Sequence, residues 1–314
     1  SKNILIWGKS IKSDKYRNKA NEFISVEDGF IRSVGLGADL YSPLSLLFDK
    51  KGIHYDASSV SDIEELLQNR VVNKNELKRS SDLINLIIKS NITKYNLKFN
   101  SGLKLPRNSV NKYKIAVLGQ VETDNSILFG VPNDTIQKTN FSLIEQVRKD
   151  YPNSYIIYKP HPDIESGLRY SSNELSIRGI SDFIAHKTSL EDILKNVDRV
   201  VVFTSLGGFE ALIRGKPVTT YGLPFYAGWG LTDDKLLNHK WAKRRRRILS
   251  LEEIVFISLI EYPIYNSLKF NTLTEIENII EELKIYNNKK NIWQIIFRNW
   301  GSLKDFLATI NKND

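Results

Sequence analysis

Four short stretches carry residue types suited to group-transfer chemistry. Glu27-Asp28 follows the apolar run Phe23–Val26, and Glu122 and Asp124 follow Lys114–Leu118. Lys159 and His161 follow Tyr155–Tyr158, and Ser205 follows Val200–Phe203. Each run is the kind of β-branched or aromatic block that forms a buried strand. Reactive groups in open α/β sheets gather at the carboxyl ends of strands, so this shared placement points to one site. Glu27 and Asp124 suit a double displacement, one carboxylate attacking and the other handling a proton. Glu122, in the same stretch as Asp124, competes for that role. Lys159 is a point charge for a phosphate, and His161 either donates to that phosphate or transfers a proton. Pro160 and Pro162 stiffen the backbone around both.

At Ser205 the strand runs into Gly207-Gly208 and a helical pattern, Phe209–Arg214, closed by Gly215 and Pro217. The first N–H groups and positive dipole end of such a helix favour an anion, and glycines let a phosphate approach without a Cβ in the way. Close packing of helix on strand fits the same glycines. Glu210, one turn in, is placed to accept from a ribose or to act as a cap or dipole partner. The next loop, Gly222–Gly230 with Phe225, Tyr226 and Trp229, reads as a stacking surface or lid.

The elements around these stretches alternate strand, loop and helix, which predicts parallel sheet with helices on both faces. Ile4–Trp7 and Phe23–Val26 open the chain as strands. Ser61-x-x-Glu64 caps a short helix and a second spans about 75–91. The stretch 92–112, Lys/Asn-rich and aperiodic, reads as a linker. Ser142-x-x-Glu145, Thr188-x-x-Glu191 and Thr274-x-x-Glu277 read as further caps. The division expected is 1–105, an acceptor-side domain; 106–262, a nucleotide-binding domain; and 263–314, helices packing on the body. Trp293, Ile296, Phe297, Trp300, Leu303, Phe306 and Leu307 share a helical stripe.

Composition is that of an ordinary globular chain of 314 residues, 41% hydrophobic and 26% charged. That length predicts two domains. No apolar run approaches the ~20 residues needed to span a bilayer. With no cysteine and four separated histidines, disulfides and thiolate or histidine-rich metal sites are not expected; His54, His186 and His239 read as structural. The absence of methionine points to a fragment or an engineered start. Net charge is +9, and Lys240–Arg247 packs six cations into eight residues, which favours an anionic partner.

TSLGGFEALIRGKPVTTYGLPFYAGWGLTDD closely resembles the signature of KpsC-type capsule glycosyltransferases. So do EDGFIRSVGLG at 27–37, PLSLLFDKKGIHYD at 43–56, GQVETD at 119–124 and KPHPD at 159–163, and the resemblance covers residues 1–262. These enzymes transfer β-linked Kdo, an eight-carbon acidic keto-sugar, from CMP-Kdo. The resemblance implies an α/β fold of two Rossmann-like domains with a cleft between them, glycosyltransferase-B-like, plus C-terminal helices. It implies a retaining transfer with Asp124 as nucleophile and Glu27 as acid/base. Lys159, His161, Ser205, Gly207, Gly208, Glu210, Arg32 and Gln120 are its expected donor-binding residues. It implies no metal and no cofactor, only the donor CMP-Kdo and a Kdo-terminated, lipid-linked acceptor. A cytoplasmic chain with peripheral membrane contact through Lys240–Arg247 fits that acceptor. Members commonly carry two related modules, and this chain holds one.

A carboxylate attacking Kdo approaches the sugar's own carboxylate, a repulsion of about 4 kcal/mol at ~4 Å and an effective dielectric near 20. Such a site needs cations, and Lys159 and Arg32 are the ones expected there. Two competing readings are a donor-binding but silent module and a basic α/β nucleic-acid-binding protein. Against the latter, the cations concentrate in one loop, and the aromatics sit on Gly loops or apolar stripes, not interleaved along a groove.

Overall fold

The computed structural model of the chain describes residues 3–9, 22–33, 35, 43–97, 102–167, 174–267 and 269–288. The aromatic stripe at 293–307 lies outside them, as do residues 34, 36 and 37 of the EDGF stretch. The chain forms two compact units: residues 1–53, 61–97 and 252–314 make the first, and 54–60 with 98–251 the second.

In the second unit, strands β4 (Lys114–Leu118), β5 (Tyr155–Lys159), β6 (Phe183–Ile184), β7 (Arg199–Val202), β8 (Val218–Thr220) and β9 (Asp233–Asp234) form one sheet. Its order is β6-β5-β4-β7-β8-β9, with every pair parallel. The chain works outward from β4 to β6, returns to β7 beside β4, and works outward the other way. That is the Rossmann winding, with its topological switch point between β4 and β7. Ile115, Val117, Ile156, Val201 and Phe203 pack with Ile127, Leu143, Ile144 and Val147 in one core, all fully buried.

The first unit is mixed. β1 (Asn3–Trp7) and β2 (Glu22–Asp28) pair in parallel as the alternation predicts. β3 (Ser45–Asp49) then runs antiparallel to β2, and the sheet is completed by β10 (Pro263–Ser267) and β11 (Thr272–Thr274) from far down the chain. β10 and β11 therefore pair as antiparallel strands where helix is expected, because β10 adds to the open edge of β3 and β11 adds to β10. Only 276–288 of the C-terminal part is described as helix. Residues 252–262, helical as far as 261, also belong to the first unit and not the second.

The helices confirm the periodicity and correct several caps. Ser61 caps α1 (Asp62–Asn69), accepting from the Glu64 N–H. Asn73 and Glu76 make a reciprocal capping box on α2 (Lys74–Ser90), which buries Leu83, Ile84 and Ile87. Beyond α3 (Asn125–Gly130), Thr139 and not Ser142 caps α4 (Asn140–Asp150); Ser142 lies inside the first turn and donates its N–H to Thr139 Oγ1 at 3.1 Å. α5 (Pro162–Glu165) and α6 (Glu174–Ile180) are short. Ser189 and not Thr188 caps α7 (Leu190–Asn196), while the Thr188 hydroxyl donates to the His186 carbonyl. α8 is Leu206–Ile213, and α9 (Leu251–Val255) runs into a wider turn at 256–261. Thr274 ends β11 and does not cap α10 (Ile276–Asn288), and Glu277 pairs with Arg79 of α2.

Candidate active site

Three of the four chemical stretches meet at the carboxyl ends of three adjacent strands, β5, β4 and β7. Backbone bonds join the ends: the Gly119 N–H donates to the Lys159 carbonyl at 2.8 Å. Gly119 admits no side chain, since a Cβ there would stand 2.4 Å from the Tyr158 hydroxyl oxygen.

Asp124 lies in a turn after β4, with its N–H bonded to the Val121 carbonyl, and is solvent-exposed. Its Oδ1 accepts from the Ser126 N–H at 2.8 Å, so it is the N-cap of α3. Glu122 turns elsewhere: its Oε1 accepts from the Asn140 N–H at 2.8 Å, fixing the start of α4. The two competing carboxylates are thus separated by the helix each one serves.

Gln120 is 6% exposed and its amide is committed inside the protein. Its Oε1 accepts from the Thr204 N–H at 2.9 Å, and its Nε2 donates to Thr204 Oγ1 at 3.1 Å and Ser126 Oγ at 3.3 Å. Its backbone pairs with the buried Asn140 side chain in both directions, at 2.9 Å each way. Gln120 therefore braces the switch point, tying the Asp124 helix to the turn that leads to Ser205. Sequence reading names Gln120 as a donor contact and misses Thr204 and Asn140, whose partners lie 84 and 20 residues away.

Lys159 ends β5 and is 6% exposed. Its ammonium donates to the Pro160 carbonyl at 3.1 Å and forms an ion pair with Glu165 of α5. Burial pushes this lysine below its usual range, and the Glu165 carboxylate pulls it back up. His161 caps α5 through Nδ1, which accepts the Asp163 N–H at 3.1 Å. A neutral ring in that arrangement carries its proton on Nε2, which makes Nε2 the donor nitrogen.

Ser205 caps α8, its Oγ accepting from the Gly207 N–H at 3.2 Å, and its carbonyl accepts from the Tyr226 hydroxyl at 2.5 Å. Both glycines are demanded by protein packing. A Cβ on Gly207 would lie 2.6 Å from Leu118 Cδ1, and one on Gly208 2.2 Å from the Tyr226 hydroxyl oxygen. The Cβ side of each glycine is thus occupied by side chains of the protein itself. Glu210 is half-buried on the same helix, and its carbonyl accepts from Arg214 at 3.0 Å.

The Gly222–Gly230 loop is core and not a lid. Phe225, Tyr226 and Trp229 are at most 4% exposed. Phe209 packs edge-on to Phe225 at 5.2 Å and stacks on Tyr226 at 5.8 Å. Gly228 and Gly230 take φ of 84° and 88°, the left-handed turns that let the rings point inward. Arg245 holds this loop from beneath, donating to the Pro224 and Ala227 carbonyls at 2.6 and 2.9 Å from a 6%-exposed position. Arg244 likewise donates to the Ala57 and Ser59 carbonyls, at 2.5 and 3.0 Å. The basic run is therefore not one solvated patch; Lys240, Lys243 and Arg246 are its exposed members.

In the first unit, Glu27 and Asp28 end β2, and Glu27 Oε1 accepts the Asp28 N–H at 3.0 Å. Gly29 must be glycine, since a Cβ would lie 2.0 Å from Ser45 Oγ. Arg32 is 6% exposed and ion-paired with Asp28. Both cations expected to offset a sugar carboxylate are thus buried with carboxylates of their own. Among the described residues no group of three or more His, Cys, Asp or Glu is arranged to hold a metal ion.

The sequence profile of the family described as capsule polysaccharide biosynthesis protein matches residues 2–265. The chain belongs to that family. Within the capsule polysaccharide biosynthesis family it is 43% identical over 244 residues to the capsule polysaccharide modification protein LipA of Neisseria meningitidis serogroup B, covering 77% of this chain and 33% of LipA. It is 39% identical over 267 residues to the lipopolysaccharide-processing protein LpsZ of Rhizobium meliloti, covering 84% of this chain and 59% of LpsZ. The chain therefore spans between a third and three-fifths of the length of these relatives. Two solved structures of Thermosulfurimonas dismutans KpsC share the fold. The β Kdo 2,7 transferase matches with a TM-score of 0.74 and 39% identity, over 92% of this chain and 86% of that one. The β Kdo 2,4 transferase matches with a TM-score of 0.76 and 29% identity, over 89% of this chain and 86% of that one.

Proposed function

We propose that this chain is a retaining β-Kdo transferase of capsule synthesis, moving Kdo from CMP-Kdo to a Kdo-terminated, lipid-linked acceptor. The observation that carries this reading is its similarity to both KpsC transferase structures over about nine-tenths of the chain. The local geometry supports the assignment of roles. Asp124 is an exposed carboxylate at the switch point, while Glu122 is bonded to the start of α4.

In the first step an Asp124 oxygen bonds to the anomeric carbon as the bond to the phosphate oxygen breaks, releasing CMP. The Ser205 turn, Lys159 and the Nε2 side of His161 receive the departing phosphate. In the second step Glu27 takes the proton of the acceptor hydroxyl, the acceptor oxygen bonds to the anomeric carbon, and the Asp124 ester bond breaks. Two inversions give net retention. No metal has a role in this scheme. The work takes place at the cytoplasmic face of the membrane, with Lys240, Lys243 and Arg246 meeting anionic headgroups.

The test is incubation with CMP-Kdo and a synthetic Kdo-terminated acceptor, followed by mass spectrometry and NMR. A β-linked product with one added Kdo and stoichiometric CMP is expected. A product with the α configuration, or no transfer from CMP-Kdo, overturns the reading.

A further inference from the structure

The KPHPD stretch accounts for Lys159 and His161 but leaves unexplained a carboxylate two residues beyond it. Glu165 stands at the end of α5 with its side chain 7% exposed, against the 8%-exposed side chain of Lys159. Its other oxygen accepts the Lys187 N–H at 2.7 Å and lies 3.5 Å from His186 Nδ1. Glu165 is therefore clamped from two sides, by the end of β5 and by the segment after β6.

A buried ammonium without an anion loses its proton or drags water inward, because desolvation falls on the charged form. Here burial is the largest influence on Lys159, and Glu165 is what opposes it. The Pro160 carbonyl, 3.1 Å from Nζ, sets a second direction for the same head group. The Glu165 clamp thus fixes both the charge and the aim of the cation at the tip of β5.

We propose that Glu165 is the positioning residue for Lys159: it keeps this buried lysine charged and aimed, so that the phosphate of a nucleoside monophosphate meets an oriented ammonium. This inference rests on the reading of Lys159 as a phosphate contact. It predicts that Glu165 governs phosphate recognition alone and contributes nothing to the nucleoside.

The test is calorimetric titration of the full chain with CMP, and ligand-observed NMR titration with cytidine, which lacks the phosphate. Wild type, Glu165→Gln, Lys159→Met and the double variant are compared, with Glu165→Asp as the conservative rescue. Glu165→Gln should weaken CMP on the order of tenfold, the scale of one charged hydrogen bond, and leave cytidine unchanged. Lys159→Met should abolish the effect of the second substitution, and Asp should restore part of the loss. Should Glu165→Gln weaken CMP and cytidine alike, or act equally in the Lys159→Met background, Glu165 is a structural residue and the proposal is overturned. Unchanged or tighter CMP binding in Glu165→Gln overturns it as well. If Lys159→Met itself binds CMP like wild type, the phosphate reading of Lys159 falls and takes this proposal with it. The double variant replaces both charges with neutral groups, so where Glu165→Gln alone folds poorly its comparison with Lys159→Met still decides: weaker CMP binding in the double variant than in Lys159→Met overturns the proposal.

Discussion

Gln120 and Thr204 bond to each other twice: the amide oxygen accepts the threonine N–H at 2.9 Å, and the amide nitrogen donates to the threonine hydroxyl at 3.1 Å. This pair staples the ends of the two strands that flank the switch point. Gln120→Leu leaves a buried N–H and hydroxyl without their partner. Urea unfolding should show a loss of about 2–3 kcal/mol. CMP affinity should fall with it, because the Ser205 turn is no longer held. An unchanged midpoint would show that the staple contributes nothing.

Asp124 both caps a helix and is the proposed nucleophile, and substitution separates the roles. Asn caps a helix as well as Asp does, so Asp124→Asn should keep wild-type stability while transfer falls by several orders of magnitude. Asp124→Ala should in addition lose about 1 kcal/mol of stability. Glu27→Gln incubated with CMP-Kdo should gain the mass of one Kdo, mapped by proteolysis to Asp124. Near-normal transfer by Asp124→Asn would make Glu122 the residue to examine.

Packing at the α8 turn predicts a compensating pair. Gly208→Ala places a methyl group 2.2 Å from the Tyr226 hydroxyl oxygen and should cost about 1–3 kcal/mol. Tyr226→Phe removes that oxygen together with its bond to the Ser205 carbonyl. The double variant should be more stable than the sum of the single losses. Strict additivity in thermal unfolding would rule out the clash.

The basic run splits into two classes with opposite readouts. Arg245→Ser removes two buried bonds to the aromatic loop and should destabilise by several kcal/mol, at about 1.5–3 for each charged bond. Changing exposed Lys240, Lys243 and Arg246 to Ser should leave the melting temperature in place and weaken sedimentation with anionic vesicles, by about 1 kcal/mol per cation at low salt. Equal vesicle binding before and after would remove this surface from membrane contact.

Arg79 predicts a pH dependence. Its bonds to Glu277 hold that carboxylate below its usual range. A depressed carboxylate contributes stability above the ordinary glutamate value of about 4.3, and the contribution is lost as pH falls through the folded value. Both side chains are about one-third exposed, so the effect should stay under about 1 kcal/mol. Glu277→Gln should be less stable than wild type at neutral pH and converge with it in acid; a constant gap would disprove the linkage.

The strand ends, the Rossmann alternation of the second unit and the chemical stretches were legible because each rests on a local pattern. Long-range partnerships were not. Nothing near Gln120 announces Thr204, and nothing in KPHPD announces that α5 turns Glu165 back onto Lys159. The buried Arg245 has the same charge as its exposed neighbour Arg246, so composition cannot sort them; only the carbonyls of the folded aromatic loop do. That loop reads as a stacking surface or lid because its aromatics sit among glycines, yet Gly228 and Gly230 supply the positive φ that turns the rings inward. β10 has no local strand signal of this kind, because its partner strand lies more than two hundred residues earlier.

The pairing of β3 with β10 has a consequence for how the protein is made. The second unit is an insertion between parts of the first, so a ribosome delivers the whole of it before the outer neighbour of Ser45–Asp49 exists. During that interval the nascent first sheet presents an open edge of hydrogen-bonding groups, the kind that recruits other chains. A chain ending at residue 251 keeps that edge permanently. Shortened versions cut after the last chemical motif should therefore accumulate as aggregates, even though every proposed catalytic residue is still present.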